Sequence, residues 1–171
     1  MPGEREIEGL YAAARAGNTA EFRFAIPPLW VAVEDADAAE ATAVLARVVP
    51  LFDLVADHAT GQLAVLAAAM VTRGAPPSEF TDVVSRTLAR VLPAAAVFPG
   101  SWRRAAGARS RLPHPDEGTT TYDDTVARLA RTRRWGRGGG LAVGDALTLV
   151  DAWFALSAWI PPAAELLRVP G

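Results

Sequence analysis

Apolar residues recur every three or four positions along most of this chain, which is the spacing of helices with one buried face. The pattern predicts an all-α fold, arranged as a helical bundle or as stacked helix pairs. Helices are expected at residues 4–16, 37–58, 60–73, 78–98, 121–135 and 145–160, with a last turn at 162–168. Pro50 and Pro93 fall inside two of these segments, and we expect each to kink or split its helix because proline lacks the backbone N–H.

Residues 21–33 depart from this pattern. Glu21–Ile26 alternates polar and apolar side chains, as a strand does, and Leu29–Val33 follows after Pro27 and Pro28. A small hairpin is one interpretation of this segment. Short helical turns are the other, and the helical character of the flanking segments favours them.

A short motif recurs along the chain. Ala46–Pro50 and Ala89–Pro93 match in sequence 43 residues apart, and Leu129–Arg131 repeats the triplet Leu-Ala-Arg that stands at 45–47 and 88–90. In this period the chain resembles HEAT and armadillo arrays. The resemblance implies stacked helix pairs within a single domain covering residues 1–171. Chance recurrence in an alanine- and arginine-rich chain is the alternative.

The composition excludes several kinds of catalytic, disulfide and metal site. The chain has no cysteine and only two histidines, which excludes disulfides, thiol catalysis, cysteine–zinc sites and histidine-rich metal sites. We therefore expect no metal and no cofactor. All 17 basic residues are arginine, and the absence of lysine is typical of bacterial chains with high-GC codon usage.

The apolar content of 51% is high for a chain of 171 residues, which indicates that a partner covers part of the surface. The charged N-terminal segment lacks the apolar core of a secretion signal. The apolar run Leu141–Leu167 is interrupted by acidic residues, glycine and two prolines. We interpret it as a buried helix, and we expect a cytoplasmic protein without a membrane span.

Charge is unevenly distributed. Residues 1–72 carry a net charge of −6, and residues 73–137 carry +6. Within the basic part, 99–118 has the composition of a long loop. Interleaved arginine and tryptophan residues predict a partner-binding surface formed by Trp102, Arg103, Arg104, Arg109, Arg111, Arg131, Arg133, Arg134 and Trp135.

This surface suits a protein partner or a second copy of the chain. Nucleic acid is an alternative partner, because arginine contacts phosphate and tryptophan stacks on bases. Two simpler interpretations stay open, a solvated face and a face that the acidic part of the same fold neutralises.

The glycine run 136–140 does not form a phosphate-binding loop. Gly139 to Gly144 has the glycine spacing of such a loop, but Asp145 and Ala146 replace the required lysine and hydroxyl. A carboxylate at this position would repel phosphate. Asp145 is better interpreted as a helix cap.

Two groups of acidic residues are further candidate sites. Asp53 and Asp57 would lie one turn apart if 37–58 were one helix, with His58 pointing elsewhere; capping at a helix end is the simpler interpretation. Asp151 lies on an almost wholly apolar helix, where a partner, most simply an arginine, is expected. Alternatively, Asp151, Trp153 and Trp159 line a ligand pocket.

No catalytic constellation is recognisable, so an enzyme is not favoured. The sequence predicts a non-catalytic helical interaction or scaffold protein that binds a protein partner through an apolar and arginine-rich surface. A nucleic-acid-binding protein using residues 101–137 is the second hypothesis. A small-molecule-binding protein or enzyme with a cavity near Asp151 is the third.

Overall fold

The computed structural model describes residues 1–114, 119–131 and 140–168. The all-α prediction is confirmed: these residues contain helices and no β-strand. The helices are α1 (Glu4–Arg15), α2 (Thr19–Ala32), α3 (Ala38–Val48), α4 (Gly61–Thr72), α5 (Ser78–Ala106), α6 (Thr119–Ala130) and α7 (Val143–Leu166). Two short 3₁₀ turns, Val49–Asp53 and Asp57–Ala59, follow α3.

The hairpin interpretation of residues 21–33 is wrong, because α2 covers almost the whole segment. Phe22, Ile26 and Leu29 are fully buried at positions i, i+4 and i+7 of this helix. Asn18 caps the helix by accepting a hydrogen bond from the Glu21 N–H at 3.1 Å. The burial of these three side chains on one face of a helix therefore outweighs the strand-like alternation of Glu21–Ile26 and the two prolines.

Pro28 lies inside α2 and removes a backbone donor from it. Replacing Pro28 by alanine restores an N–H that can bond to the Phe24 carbonyl, so we expect a gain of about 1–2 kcal/mol in the free energy of unfolding. Urea denaturation followed by circular dichroism measures this gain. Ala25→Pro, which removes a third donor from the same helix after Pro27 and Pro28, is expected to act in the opposite direction.

The predicted helix 37–58 is split near Pro50, which is one of the two outcomes expected of this proline. The helix stops at Val48, and Pro50 lies in the first 3₁₀ turn. Asp37 and Glu40 form a capping box at the start of α3. The period of about 43 residues, and with it the likeness to helical repeats, stays a prediction.

Helix α5 continues through Pro93 and Pro99 to Ala106, so the first part of the predicted loop 99–118 is helical. Phe98 and Trp102 are buried four residues apart in this helix, and their burial keeps the backbone helical past Pro99 and Gly100. An irregular segment follows from Gly107 to His114. Residues 115–118 of the predicted loop lie outside the described part of the chain.

The chain divides into two compact units. Unit 1 contains Met1–Thr87 and Ala158–Gly171, and unit 2 contains Leu88–Ser157. The boundaries fall within α5 and α7. The single-domain organisation of residues 1–171 stays a prediction.

The core of unit 1 includes the fully buried Trp159. Its ring meets Phe52 edge-on at a centroid distance of 5.3 Å, and its Nε1–H donates to the Asp57 carbonyl at 3.1 Å. Gly61, at the start of α4, lies against Ala158: a Cβ at position 61 would stand 2.2 Å from the Ala158 Cβ. Only glycine permits this close approach of the two backbones.

Unit 2 has its own apolar core, built from α5, α6 and α7. The buried residues are Phe98, Trp102, Leu129, Ala146, Val150 and Phe154. Phe98 stacks on Trp153 at 4.9 Å and on Trp102 at 6.2 Å, with 11° between the ring planes in each pair. This aromatic stack supports the wall of the cleft described below.

Among the described helices, α7 alone is long and apolar enough to cross a membrane by length and composition. The same properties occur in the central helices of soluble proteins. Ala146, Val150 and Phe154 of this helix lie in the core of unit 2.

Candidate functional site: an arginine-lined cleft

One face of α6 lines a surface cleft in unit 2. Thr121, Asp124, Arg128 and Arg131 contribute from this helix and its last turn. These positions are three or four residues apart, so their side chains lie on the same side of the helix. Leu129, about 100° around the helix from Arg128, is buried in the core of unit 2 and fixes the orientation of α6.

Trp102 forms part of the wall of the cleft and orients Arg128. The guanidinium Cζ of Arg128 lies 5.6 Å from the centroid of the Trp102 ring, a cation–π contact. The indole is only 7% exposed and is stacked on Phe98, so it is a rigid support. Holding a flexible arginine in place beforehand lowers the entropy that binding would cost.

The segment that carries Arg111 is fastened to the core by two indoles. Trp102 Nε1–H donates to the Arg111 carbonyl, and Trp153 Nε1–H donates to the Pro113 carbonyl, both at 2.9 Å. Ser110 Oγ adds a bond of 2.7 Å to the Ala106 carbonyl. This irregular segment is therefore held by hydrogen bonds at Arg111 and Pro113, two of its three cleft-lining positions.

The cleft has a volume of about 430 Å³, and the described residues that line it carry three guanidinium groups and one carboxylate, that of Asp124. A guanidinium is planar and presents paired N–H donors that match the oxygens of carboxylate and phosphate. The geometry and the charge both suit a ligand with an anionic oxygen group.

Only part of the predicted partner-binding surface lies in the cleft. Of the predicted surface, Trp102, Arg111 and Arg131 line the cleft, whereas Arg103, Arg104 and Arg109 are not among its lining residues. Arg104 bonds instead to Ser101 Oγ at 3.1 Å. Arg133, Arg134 and Trp135 lie outside the described residues, as does the glycine run from 136 to 139.

Arg128 is the cleft residue that the sequence analysis missed. The structure places its guanidinium over Trp102, one helical turn past Asp124. The useful signal was the recurrence of polar residues at 121, 124, 128 and 131, which marks one polar face of α6.

Asp151 is half-buried, and Tyr122 contacts it. The Tyr122 hydroxyl donates to Asp151 Oδ1 at 2.6 Å, a partner that sequence reasoning did not anticipate. Burial raises the pKa of Tyr122 well above its ordinary value, and the hydrogen bond to Asp151 and the negative charges of Asp151 and Asp123 raise it further. Tyr122 therefore keeps its proton and acts as a donor that helps to neutralise the cost of burying Asp151.

This pair predicts a loss of stability at alkaline pH. The pKa of Tyr122 is higher in the folded chain than in the unfolded chain. The contribution of this pair to the free energy of unfolding is therefore fully present below about pH 10 and falls as the pH rises further. Tyr122→Phe is expected to flatten this alkaline decline. Near neutral pH the same variant should lose about 1–2 kcal/mol, because a hydrogen bond to a charged acceptor is removed.

Urea denaturation of both proteins across this pH range measures the difference. A decline of equal slope in the wild type and in Tyr122→Phe would show that this pair does not carry the alkaline dependence.

The two tryptophans of the predicted ligand pocket occupy separate cores. Trp153 belongs to unit 2, where it is half-buried against Phe98, and Trp159 is fully buried in unit 1. Neither they nor Asp151 line the arginine cleft.

Asp53 and Asp57 do not share a helix face, because they lie in different 3₁₀ turns. Asp53 pairs with Arg86 at 3.6 Å, with both side chains exposed. The carbonyls of Asp57 and His58 accept bonds from Trp159 and Arg23. Within the described ranges, no group of three or more histidine, aspartate or glutamate side chains is placed to hold a metal ion.

Comparison with known proteins gives no family for this chain: no family matches its sequence, and no curated protein and no solved structure matches it either.

Proposed function

We propose that this chain is a non-catalytic interaction protein that binds an acidic segment of a protein partner in the arginine-lined cleft of unit 2. The observation that supports this most strongly is the placement of Arg111, Arg128 and Arg131 around one cleft whose wall is a buried aromatic stack. Carboxylates of a peptide would pair with the arginines, and apolar side chains would contact Leu112 and Pro113.

The state of Trp102 favours a peptide over single-stranded nucleic acid. Proteins that bind single strands stack bases on exposed aromatic rings. Trp102 is 7% exposed, and its ring is already engaged by Phe98 and Arg128. The cleft therefore offers charge but little aromatic surface for a base.

The same geometry speaks against small-molecule chemistry at Asp151. Its carboxylate is bonded to Tyr122, and the neighbouring Trp153 is used in core stacking and in holding the Pro113 carbonyl. A cytoplasmic location remains part of the proposal, on the grounds given by the sequence.

A binding measurement on charge-matched variants tests the proposal. A fluorescent glutamate-rich peptide is titrated with the wild type, with Arg128→Gln/Arg131→Gln, and with Arg103→Gln/Arg109→Gln, which removes the same charge away from the cleft. We expect the cleft variant to bind at least about tenfold more weakly, since each lost charged contact is worth more than 1 kcal/mol, and the control to change less than about threefold.

Equal losses in both variants would show that the peptide responds only to overall charge and would contradict the proposed cleft. A single-stranded oligonucleotide is measured in parallel. Tighter binding of the oligonucleotide, with the same dependence on Arg128 and Arg131, would replace the peptide by nucleic acid as the partner.

A further inference from the structure

Helix α2 in unit 1 exposes two large apolar side chains to solvent. Phe24 is 80% exposed and Val31 is 74% exposed. The other side of the same helix is fully buried through Phe22, Ile26 and Leu29. The helix is therefore already packed on its inner face, and the exposed side chains form a second apolar face.

Phe24 and Val31 lie on one line along the helix. Successive residues turn by about 100°, so positions 24 and 31 are two turns apart on the same side, with Pro27 and Pro28 between them. All four side chains are exposed. The resulting spacing of i, i+3, i+4 and i+7 is that of an apolar stripe against which another helix can pack.

The two prolines also leave a hydrogen-bond acceptor on this face. In a helix, the carbonyl of Phe24 would accept a bond from the N–H of residue 28 or, in a tighter turn, of residue 27. Pro27 and Pro28 both lack this N–H. Neither of these internal bonds to the Phe24 carbonyl can therefore form, and the arginine and lysine side chains of a partner carry several donors each.

Negative charge stands at both ends of the stripe. Glu21 is exposed in the first turn of α2, and Glu34 and Asp35 are exposed just past its last turn. At this end Arg73 already donates to the Val33 carbonyl at 2.6 Å, so the exposed carboxylates of Glu34 and Asp35, rather than the helix end itself, supply the negative charge. Arg23, the cation within α2, donates to the His58 carbonyl at 2.8 Å. An acidic partner or an anionic membrane surface would be repelled by the stripe's ends.

We propose that this face of α2 is a docking surface for an amphipathic helix of a partner protein whose polar edges are basic. Apolar side chains of that helix pack on Phe24 and Val31. Its arginine or lysine side chains pair with Glu21, Glu34 and Asp35, and one of them donates to the Phe24 carbonyl. The site lies in unit 1 and is independent of the arginine-lined cleft.

The test uses three synthetic helical peptides, each about as long as α2. They share one leucine stripe and differ only in their polar positions, which are arginine, glutamine or glutamate. Binding to the full-length chain is measured by fluorescence anisotropy for the wild type, for Phe24→Ser/Val31→Ser, and for the control Leu92→Ser/Val97→Ser. The control removes two apolar side chains of α5 that are 48% and 53% exposed.

We expect the arginine peptide to bind the wild type at least about tenfold more tightly than the glutamine peptide. The glutamate peptide can bind in the arginine-lined cleft, so its affinity should be the same for the wild type and for Phe24→Ser/Val31→Ser. Phe24→Ser/Val31→Ser should weaken the arginine peptide by about tenfold or more, while the control stays within about twofold. Pro28→Ala, which restores an internal donor to the Phe24 carbonyl, should weaken binding although it stabilises the helix.

Two results would overturn the proposal. One is equal binding of the arginine peptide to the wild type and to Phe24→Ser/Val31→Ser when circular dichroism shows both folded. The other is Phe24-dependent binding of the wild type to phosphatidylserine vesicles with no preference among the peptides, which would make the stripe a membrane contact. Because the arginine cleft is intact in every variant, failure here leaves the proposed function to its own test.

Discussion

Phe98→Ala is expected to lower the free energy of unfolding by about 3–5 kcal/mol, which is the usual cost of truncating a fully buried phenylalanine. Phe98 is 0% exposed and stacks on both Trp102 and Trp153. Its loss leaves a cavity between two indoles, and these indoles hold the carbonyls of Arg111 and Pro113. The variant should therefore lose both stability and the shape of the cleft.

Urea denaturation followed by far-UV circular dichroism measures the change in stability. Val97→Ala is the matched control, because Val97 is the neighbouring residue and is 53% exposed. We expect it to change stability by less than about 0.5 kcal/mol. A loss of similar size in both variants would show that position 98 has no special place in the core of unit 2.

Trp159→Ala is expected to have an effect of similar size in unit 1, again about 3–5 kcal/mol. Trp159 is fully buried, meets Phe52 edge-on, and ties the 3₁₀ turn at Asp57 to α7 through its Nε1–H. Removing the ring opens a cavity and leaves the Asp57 carbonyl without this donor.

Two further variants separate the contribution of the buried ring from that of the hydrogen bond. Trp159→Phe keeps most of the ring and removes the donor, so it should cost clearly less than the alanine variant. Ile160→Ala, at a neighbouring position that is 54% exposed, should be nearly neutral. An alanine variant at 159 as stable as the wild type would contradict the central position of this side chain.

The two matching motifs show where sequence reasoning about the fold reaches its limit. Pro50 and Pro93 stand at the end of almost identical pentapeptides. Pro50 lies just after the end of α3, but Pro93 lies inside α5. Around Pro93 the buried positions Val91, Ala95, Phe98 and Trp102 keep helical spacing. Whether the helix ends at the proline is decided by the burial of side chains against the rest of the unit. A motif of five residues carries no information about that burial.

Local chemistry was predictable where it depends on near neighbours. The capping box of Asp37 and Glu40 needs only two side chains three residues apart, and it forms in the structure. One partner of Asp151, Tyr122, lies 29 residues away, and nothing in the spacing of the chain points to that pairing.

The cleft was likewise predictable only in the properties that depend on local sequence. Its charge was visible in the sequence, because arginine is concentrated between residues 73 and 137. Which arginines line the cleft depends on the packing of α6 against Trp102, so Arg128 was missed, and Arg103 of the predicted surface is not among the lining residues.

The most direct test of the account is an NMR titration that observes the side-chain Nε–Hε signals of arginine while the glutamate-rich peptide is added to the full-length chain. Assignment by single Arg→Gln variants identifies each signal. The account predicts that Arg128 and Arg131 shift in a saturable manner with the same apparent Kd, while Arg103 and Arg109 stay in place. Shifts spread evenly over all the arginines, or shifts that spare Arg128 and Arg131, would contradict it.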